Sequence, residues 1–279
     1  ISGLVGSEMC IRDSLKTNKK KICLIHGTEI NHEKGTSLNQ RVLEVLDNVE
    51  TIVANSEYTK NLAISLGVQQ DKIIVINPGV NPVEKLDKKT LDKVENLLKH
   101  KFPRLITISR LDKKKNHFNI IMALRNLKQN YPNIVYICIG DGDEEDNIKD
   151  ITAELDLNPQ VMFFKDITSG LKNSLLSKSN IFVMPSIINK SSIEGFGIVY
   201  IEAAKYGIPS LGGKDGGAAD AIENEKTGLI CDGNDLEAIY TSVDLMLKNN
   251  KYIEYGKSAK ENSSKFLWDE IIKKYKEIL

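Results

Sequence analysis

The sequence predicts an α/β fold with parallel sheets, divided into two domains. Short apolar runs rich in β-branched residues alternate with stretches of helical spacing, the pattern of chains that cover parallel sheets with helices. Several runs end at polar or glycine-containing turns, where open α/β sheets bind ligands. A highly charged helical stretch at 81–103 interrupts this rhythm and indicates a connection between two domains.

The individual elements follow from the same periodicity. Eight runs are predicted as strands because each is short, apolar and bounded by turn residues: 21–27, 51–56, 72–79, 104–110, 134–142, 161–166, 181–186 and 207–213. Helices are predicted between them at 37–48, 57–67, 116–130, 144–156 and 171–179. A further short helix is predicted from about Ile198 to Tyr206, because Gly207 and Pro209 form a stop signal.

Five segments are expected along the chain. Residues 1–14 lack a clear period and resemble translated adapter sequence, so they are left out of the fold. Residues 15–85 hold about three strands, fewer than a typical sheet, and are expected to be the remnant of a first domain whose beginning is missing. Residues 86–103 are the expected connector, 104–262 the second domain with five strands, and 263–279 a C-terminal helix.

Composition limits the class of protein. With 41% hydrophobic residues, 279 residues are enough for two cores, and 38 basic residues balance 38 acidic ones. The zero net charge argues against nucleic-acid binding through general basic attraction. No apolar run approaches the ~18 residues that cross a bilayer, and the four cysteines lack metal-ligand or disulfide spacing. We therefore expect a soluble, cytoplasmic protein.

Two motifs combine a strand end with groups that bind anions. In "SRLDKKKNH" (109–117), Arg110 and Lys115 flank a turn and could bind a diphosphate. Arginine forms bidentate hydrogen bonds to phosphate oxygens, and lysine adds a point charge. The alternative is an ordinary surface turn, and we interpret Lys113 and Lys114 as solvated charges.

In "EGFGIVYIEAAKYGIP", glycines precede a helix whose free N–H groups favour an anion. Carboxylates stand at Glu194 and Glu202. A second glycine-rich loop, "GGKDGGAADAI" (212–222), offers a phosphate or sugar site or is simply flexible. His26 in "HGTE" follows the first strand, and a lone histidine there is more often structural than functional. "IGDGDEED" (139–146) is interpreted as a structural strand-to-helix turn.

These motifs together carry a resemblance to a known family. Residues 104–245 closely resemble the C-terminal, donor-binding domain of the retaining glycosyltransferases of family 4 (glycosyl transferases group 1), which have the GT-B fold of two Rossmann-like domains. The matching motifs are, in order, "SRLDKKKNH", "IGDGDEED", "FFKDITSGLKNSLLSKSNIFVMPS", "EGFGIVYIEAAKYGIPSLGG" and "GGAADAIENEKTGLICDGND". Residues 21–80 look like the end of the family's N-terminal, acceptor-side domain.

The resemblance implies a role for each candidate residue. It implies that Glu194 faces the donor sugar and that Glu202 accepts hydrogen bonds from the ribose hydroxyls. Backbone N–H groups around the three following residues would contact the sugar or diphosphate: Gly195, Phe196 and Gly197. Arg110 and Lys115 match the diphosphate-binding pair. His26 matches a cleft histidine near the reacting carbon, so the implied catalytic residues are His26 and Glu194.

The implied activity is retaining transfer of a sugar from a UDP- or GDP-sugar to a hydroxyl of a glycan or lipid-linked acceptor, without metal or cofactor. The insertion "SIINKSSI" is similar to the subgroup with lipid-linked mannosyltransferases. Envelope polysaccharide synthesis, and a peripheral membrane contact through the missing N-terminal part, are the associated expectations. In this family the last helix crosses back onto the N-terminal domain. Two alternatives stay open: a nucleotide-sugar-binding remnant without catalysis, and a GT-B sugar-nucleotide epimerase.

Overall fold

The computed structural model describes residues 20–279 and has the predicted α/β architecture with two parallel sheets. The expectation for residues 1–14 lies outside the described residues. The smaller sheet belongs to the first domain and the larger to the second, and the two sheets are joined by residues 76–103.

The first domain is built on three parallel strands with β2 in the middle. The strands are β1 (Ile22–Ile25), β2 (Thr51–Ala54) and β3 (Ile73–Val75). Two helices connect them, α1 (Ser37–Asp47) and α2 (Glu57–Ser65). Each helix begins where a hydroxyl side chain accepts a backbone N–H of the first turn, from Thr36 and Ser56 respectively.

The second domain has six parallel strands. They are β4 (Arg104–Ile108), β5 (Val135–Ile139), β6 (Val161–Phe164), β7 (Ile181–Met184), β8 (Ser210–Gly213) and β9 (Gly228–Cys231). Its helices are α3 (Lys88–Leu97), α4 (His117–Asn130), α5 (Glu145–Glu154), α6 (Ser169–Ser177), α7 (Ile198–Ala204), α8 (Ala218–Ala221), α9 (Leu236–Leu247) and α10 (Lys251–Ser263).

The strand order of this sheet places a ligand site before any side chain is considered. The order is β6-β5-β4-β7-β8-β9, so the chain moves outward from β4 in one direction and then returns to β7 to continue in the other. Loops that follow β4 and β7 therefore diverge at the carboxyl end of the sheet and leave a crevice between them. Both predicted anion-binding motifs are loops of this kind.

One sequence-based expectation about the second domain was wrong. It has six strands and not five, because the run "GLIC" forms β9, which pairs with β8 at the edge of the sheet. The expected connector over 86–103 contains a helix that contributes to the core of the second domain. Its helix α3 packs beside α6 and buries Val94 and Leu98 in the core of the second domain, with Ile106 and Phe182. The many charged residues on the outer face of α3 obscure this apolar stripe in the sequence.

The apolar side chains of the C-terminal segment are divided between the two domains. The helix predicted over 263–279 is interrupted at Leu267, whose extended backbone separates α10 from α11 (Trp268–Lys276). Phe266, before the break, is buried in the second domain. Ile271, after it, is fully buried against Val53 and Ile76 of the first domain. Since Tyr275 and Ile278 pack on the same cluster, α11 covers a face of the smaller sheet.

None of the helices in residues 20–279 combines the length and the apolar character needed to cross a bilayer.

Candidate functional site

The loop after β4 is held in a fixed shape by its own side chains. Asp112 caps a 3₁₀ turn over 113–115 by accepting the N–H of Lys115 at 3.1 Å. Asn116 follows with φ +64°, in the left-handed region that asparagine tolerates. Its buried side chain donates to the carbonyl oxygens of Pro185 (2.9 Å) and Gly233 (2.7 Å). The loop is thereby fastened to the segments that follow β7 and β9.

The two lysines at the end of this turn point toward the loop after β7. Lys115 forms an ion pair with Glu194, and both side chains are largely buried, with 14% and 11% of their surfaces exposed. Lys114 donates to the carbonyl oxygen of Ile193 at 3.0 Å, and burial lowers the pKa of its ammonium group. The interpretation of Lys114 as a solvated charge was therefore wrong, whereas Lys113 is exposed as expected.

Arg110 differs from Lys115, its predicted partner. Its guanidinium is 75% exposed and lies 3.3 Å from the Asp112 carboxylate. A long exposed side chain can turn toward a ligand at little cost, because few contacts hold it. The structure thus brings Lys115 and Glu194 together, and it leaves Arg110 at the rim of the same loop.

The two predicted glycine-rich loops meet at Glu194. Gly217 donates its N–H to the carbonyl oxygen of Glu194 at 2.7 Å, and Gly216 pairs with Glu194 as an isolated parallel bridge. Gly216 has φ +131°, and a Cβ there would press on the Glu194 backbone. The backbone of Glu194 is therefore fixed by the loop after β8, while its side chain is held by the loop after β4.

The first domain closes the other side of this segment. A Cβ on Gly195 would overlap the carbonyl oxygen of His26, so the two backbones touch. That same carbonyl accepts the Asn55 side-chain amide at 3.2 Å. His26 itself is exposed at the carboxyl end of β1, and its N–H donates to the carboxylate of Glu29. His26 and Glu194 thus come from different domains and lie on two sides of Gly195.

The remaining predicted residues lie on or next to α7. Gly197 has φ +82° and allows the chain to turn into the helix. The Phe196 ring is buried against Phe266, so only its backbone faces the loop. Glu202 is half-buried and shares a helix face with Ile198, one turn earlier, which is 38% exposed. The structure therefore places Glu202 one turn beyond the glycine segment, with no hydrogen bond to its carboxylate from the part of the chain that is described.

A buried hydrogen-bond network of polar side chains lies beneath the loop that follows β4. The His117 ring lies 2.9 Å from the Ser109 hydroxyl through Nε2 and 2.8 Å from the Tyr136 hydroxyl through Nδ1. Tyr136 in turn donates to Thr107 at 2.9 Å, and Thr107 donates to the carbonyl oxygen of Val183. Burial lowers the His117 pKa to about 4, so the ring is neutral at pH 7.

The site lies within a region that matches a known family. Residues 88–266 match the model of the glycosyl transferases group 1. The chain belongs to this family.

Curated relatives of this member of the group 1 family include a mannosyltransferase and a capsular polysaccharide glycosyltransferase. A GDP-mannose-dependent α-(1-6)-phosphatidylinositol monomannoside mannosyltransferase of Mycolicibacterium smegmatis is 30% identical over 147 residues, which is 52% of this chain and 38% of the relative. The capsular polysaccharide biosynthesis glycosyltransferase CapM of Staphylococcus aureus is 27% identical over 82% of this chain and 62% of its own length. In both cases the chain spans less than two thirds of the relative.

Solved structures show the same fold. Anabaena HepE in complex with UDP superposes with a TM-score of 0.82 at 19% identity, over 97% of this chain and 75% of that one. A glycosyltransferase from Rickettsia africae gives a TM-score of 0.80 at 23% identity, over 96% and 72%. Both likenesses confirm the GT-B arrangement of two Rossmann-like sheets.

Sequence reasoning missed residues of the chain that join its two domains. The Asp220 carboxylate of the second domain accepts the N–H of Glu57 at 2.8 Å, at the start of α2, and the side-chain amide of Asn77 at 3.3 Å. The Thr28 hydroxyl bonds to the backbone of Ile193. Asp220 lies in the glycine-rich loop "GGKDGGAADAI" and Thr28 in "HGTE", but nothing in either motif indicates a contact with the other domain, and only the docking of the two domains reveals the partner.

Proposed function

We propose that the protein is a retaining glycosyltransferase that moves a sugar from a UDP- or GDP-sugar to a hydroxyl of a glycan or lipid-linked acceptor, without a metal ion. The observation that carries this proposal is the Lys115–Glu194 pair between the loops that follow β4 and β7. It puts a cation and a carboxylate at the crevice where such sheets bind nucleotides. His26 of the first domain approaches the same segment.

Each side chain then has a task in donor binding. Lys115 and the exposed Arg110 neutralise the diphosphate. Glu194 turns to the hydroxyls of the sugar once Lys115 has moved to the phosphates. Glu202 accepts the vicinal hydroxyls of the ribose, for which a carboxylate is suited because it only accepts. Glu202 is half-buried and shares a helix face with the exposed Ile198, so its carboxylate is accessible to the ribose.

In the reaction, the bond between the anomeric carbon and the donor phosphate oxygen breaks, and the acceptor hydroxyl forms the new bond from the same face. The acceptor proton passes to an oxygen of the departing diphosphate. The protein contributes orientation and charge stabilisation, since Lys115 and Arg110 lie where negative charge grows on the leaving group. His26 contributes a contact near the reacting carbon.

The relatives support the choice of substrates. One is named for GDP-mannose and a phosphatidylinositol mannoside, another for capsular polysaccharide, and the structure of HepE holds UDP. These names leave both bases as candidates for the present chain, and they favour an envelope glycan or glycolipid as acceptor. We propose the cytoplasmic face of the membrane as the location of the protein.

The Lys115–Glu194 pair makes the proposal testable through two variants with opposite effects. Lys115→Ala should weaken the binding of UDP or GDP about tenfold to a hundredfold, because a charged hydrogen bond is lost. Glu194→Gln should strengthen binding by about tenfold, since the carboxylate no longer competes for the ammonium group. Titration calorimetry measures both constants. Lys113→Ala is the matched control, because its exposed side chain lies on the same turn; a loss equal to that of Lys115→Ala contradicts the site.

Incubation with a panel of UDP- and GDP-sugars separates the alternatives. Release of the free sugar or its transfer supports a glycosyltransferase, and Glu194→Gln should abolish it despite tighter nucleotide binding. Isomerisation of the donor supports an epimerase. Binding without any turnover supports a binding remnant.

A further inference from the structure

The backbone of Ile193, immediately before Glu194, is held from both domains. Its carbonyl oxygen accepts from Lys114 Nζ of the second domain at 3.0 Å and from the Thr28 hydroxyl of the first domain at 3.2 Å. Its N–H lies 3.3 Å from the same Thr28 hydroxyl oxygen. A hydroxyl both donates and accepts, so a single Thr28 side chain pairs with both polar backbone groups of Ile193.

The position of Thr28 connects it with the rest of the site. It follows His26 by two residues, in the loop that leaves β1, and Ile193 is 2% exposed beneath it. The next peptide along, at Glu194, is bonded to Gly217. The segment that carries Glu194 is therefore fixed on one side by its own domain and on the other by the first domain.

We propose that Thr28 is a positioning residue that couples the docking of the two domains to the placement of Glu194. When the domains are docked, Thr28 completes the hydrogen bonds of Ile193, and Glu194 is held in register with Lys115. When they separate, Lys114 still holds the carbonyl, but the N–H of Ile193 loses its acceptor. The segment then relaxes, and the site is complete only in the docked state. An effect of this coupling on activity depends on the role in donor binding proposed above for Glu194.

Matched substitutions distinguish this coupling from general adhesion between the domains. Thr28→Val keeps the shape and removes both hydrogen bonds, and it is tolerable because Thr28 is exposed. Thr28→Ser keeps the hydroxyl. Asn31→Ala is the control, because the Asn31 side chain also crosses between the domains, to the Ser191 carbonyl oxygen at 2.9 Å, without touching the peptide before Glu194.

Hydrogen exchange of the full chain without ligand is the first measurement. Thr28→Val should raise the exchange rate of the Ile193 and Gly217 amides about tenfold, the scale of one hydrogen bond. Thr28→Ser and Asn31→Ala should leave both amides at the wild-type rate. Unchanged exchange in Thr28→Val overturns the proposal, and so does an equal rise in Asn31→Ala or a failure of Ser to restore protection.

Donor turnover is the second measurement. With a sugar nucleotide that the chain hydrolyses or transfers, Thr28→Val should lower kcat about tenfold. KM and the affinity for the free nucleoside diphosphate should stay unchanged, because the diphosphate contacts are in the second domain. A change in KM alone contradicts a positioning role. If no variant binds any nucleotide, the proposed function fails, and the exchange experiment still decides whether Thr28 couples the domains.

Discussion

The two domains touch along two seams of different chemistry. The cleft seam consists of the contacts of Thr28, His26 and Asp220 across the candidate site, and it is made of hydrogen bonds and close backbone approaches. The tail seam is formed by residues 266–278. There α11 buries Ile271 in the first domain, and the backbone of Val80 pairs with Phe266 and Trp268 at 2.8 and 3.2 Å.

This difference shows which seam can open. A hydrogen bond between protein groups is exchanged for bonds to water at a net cost of about 0.5–1.5 kcal/mol, so the cleft seam can separate in solution. Exposing the apolar side chains under α11 has no such compensation. We therefore expect the domains to open at the cleft and to pivot about the tail seam, which lies beside the crossing peptide at Val80.

The largest effect is expected at the tail seam. Ile271→Ala leaves a cavity against Val53 and Ile76 and should lower the free energy of unfolding of the first domain by about 2–5 kcal/mol. Chemical denaturation, with hydrogen exchange of the β2 amides as the probe, measures this free energy of unfolding. Ile272→Ala is the control on the same helix, since Ile272 is 44% exposed, and its effect should stay within about 0.5 kcal/mol. Equal losses for the two variants contradict the assignment of the buried face.

A smaller effect is expected at the cleft seam from Asp220→Ala. The variant leaves the N–H of Glu57 and the amide of Asn77 without their acceptor, which costs about 1–3 kcal/mol of docking free energy. Small-angle scattering should then show a larger radius of gyration, while the melting of each domain is little changed. A fall in the stability of the second domain, with unchanged scattering, shows instead that Asp220 acts only within its own domain.

The smallest effect concerns the charge of Asp220. Burial raises the pKa of this carboxyl group above its usual value. The folded protein therefore favours the protonated form, so the contribution of this group to stability is present below pH 3.8 and is lost as the pH rises through the raised pKa. Asp220→Asn should remove this part of the pH dependence and keep the docked radius at pH 7, because an amide oxygen still accepts from Glu57. An identical pH profile in the variant assigns the dependence to other groups.

The sequence predicted what local pattern controls. Strand runs, the stop signal after α7 and the two glycine-rich loops lie where apolar periodicity and turn residues placed them. β9 was missed because four residues beginning with glycine carry little strand signal, and an edge strand is defined by its neighbour β8. Lys114 was misjudged because a run of three lysines is normally solvated, and its burial depends on the distant carbonyl of Ile193. Contacts across the cleft seam depend on docking and have no local signal.

The return of α11 to the first domain has a consequence during synthesis. Val53 and Ile76 emerge from the ribosome long before Ile271, and α11 covers the face that they form. At about 5–20 residues per second, growth from position 76 to position 271 takes on the order of 10–40 s. For that interval the first domain exposes an apolar sheet face that a chaperone can occupy. Its folding is completed after the second domain has been made, so the order of folding does not follow the order of translation.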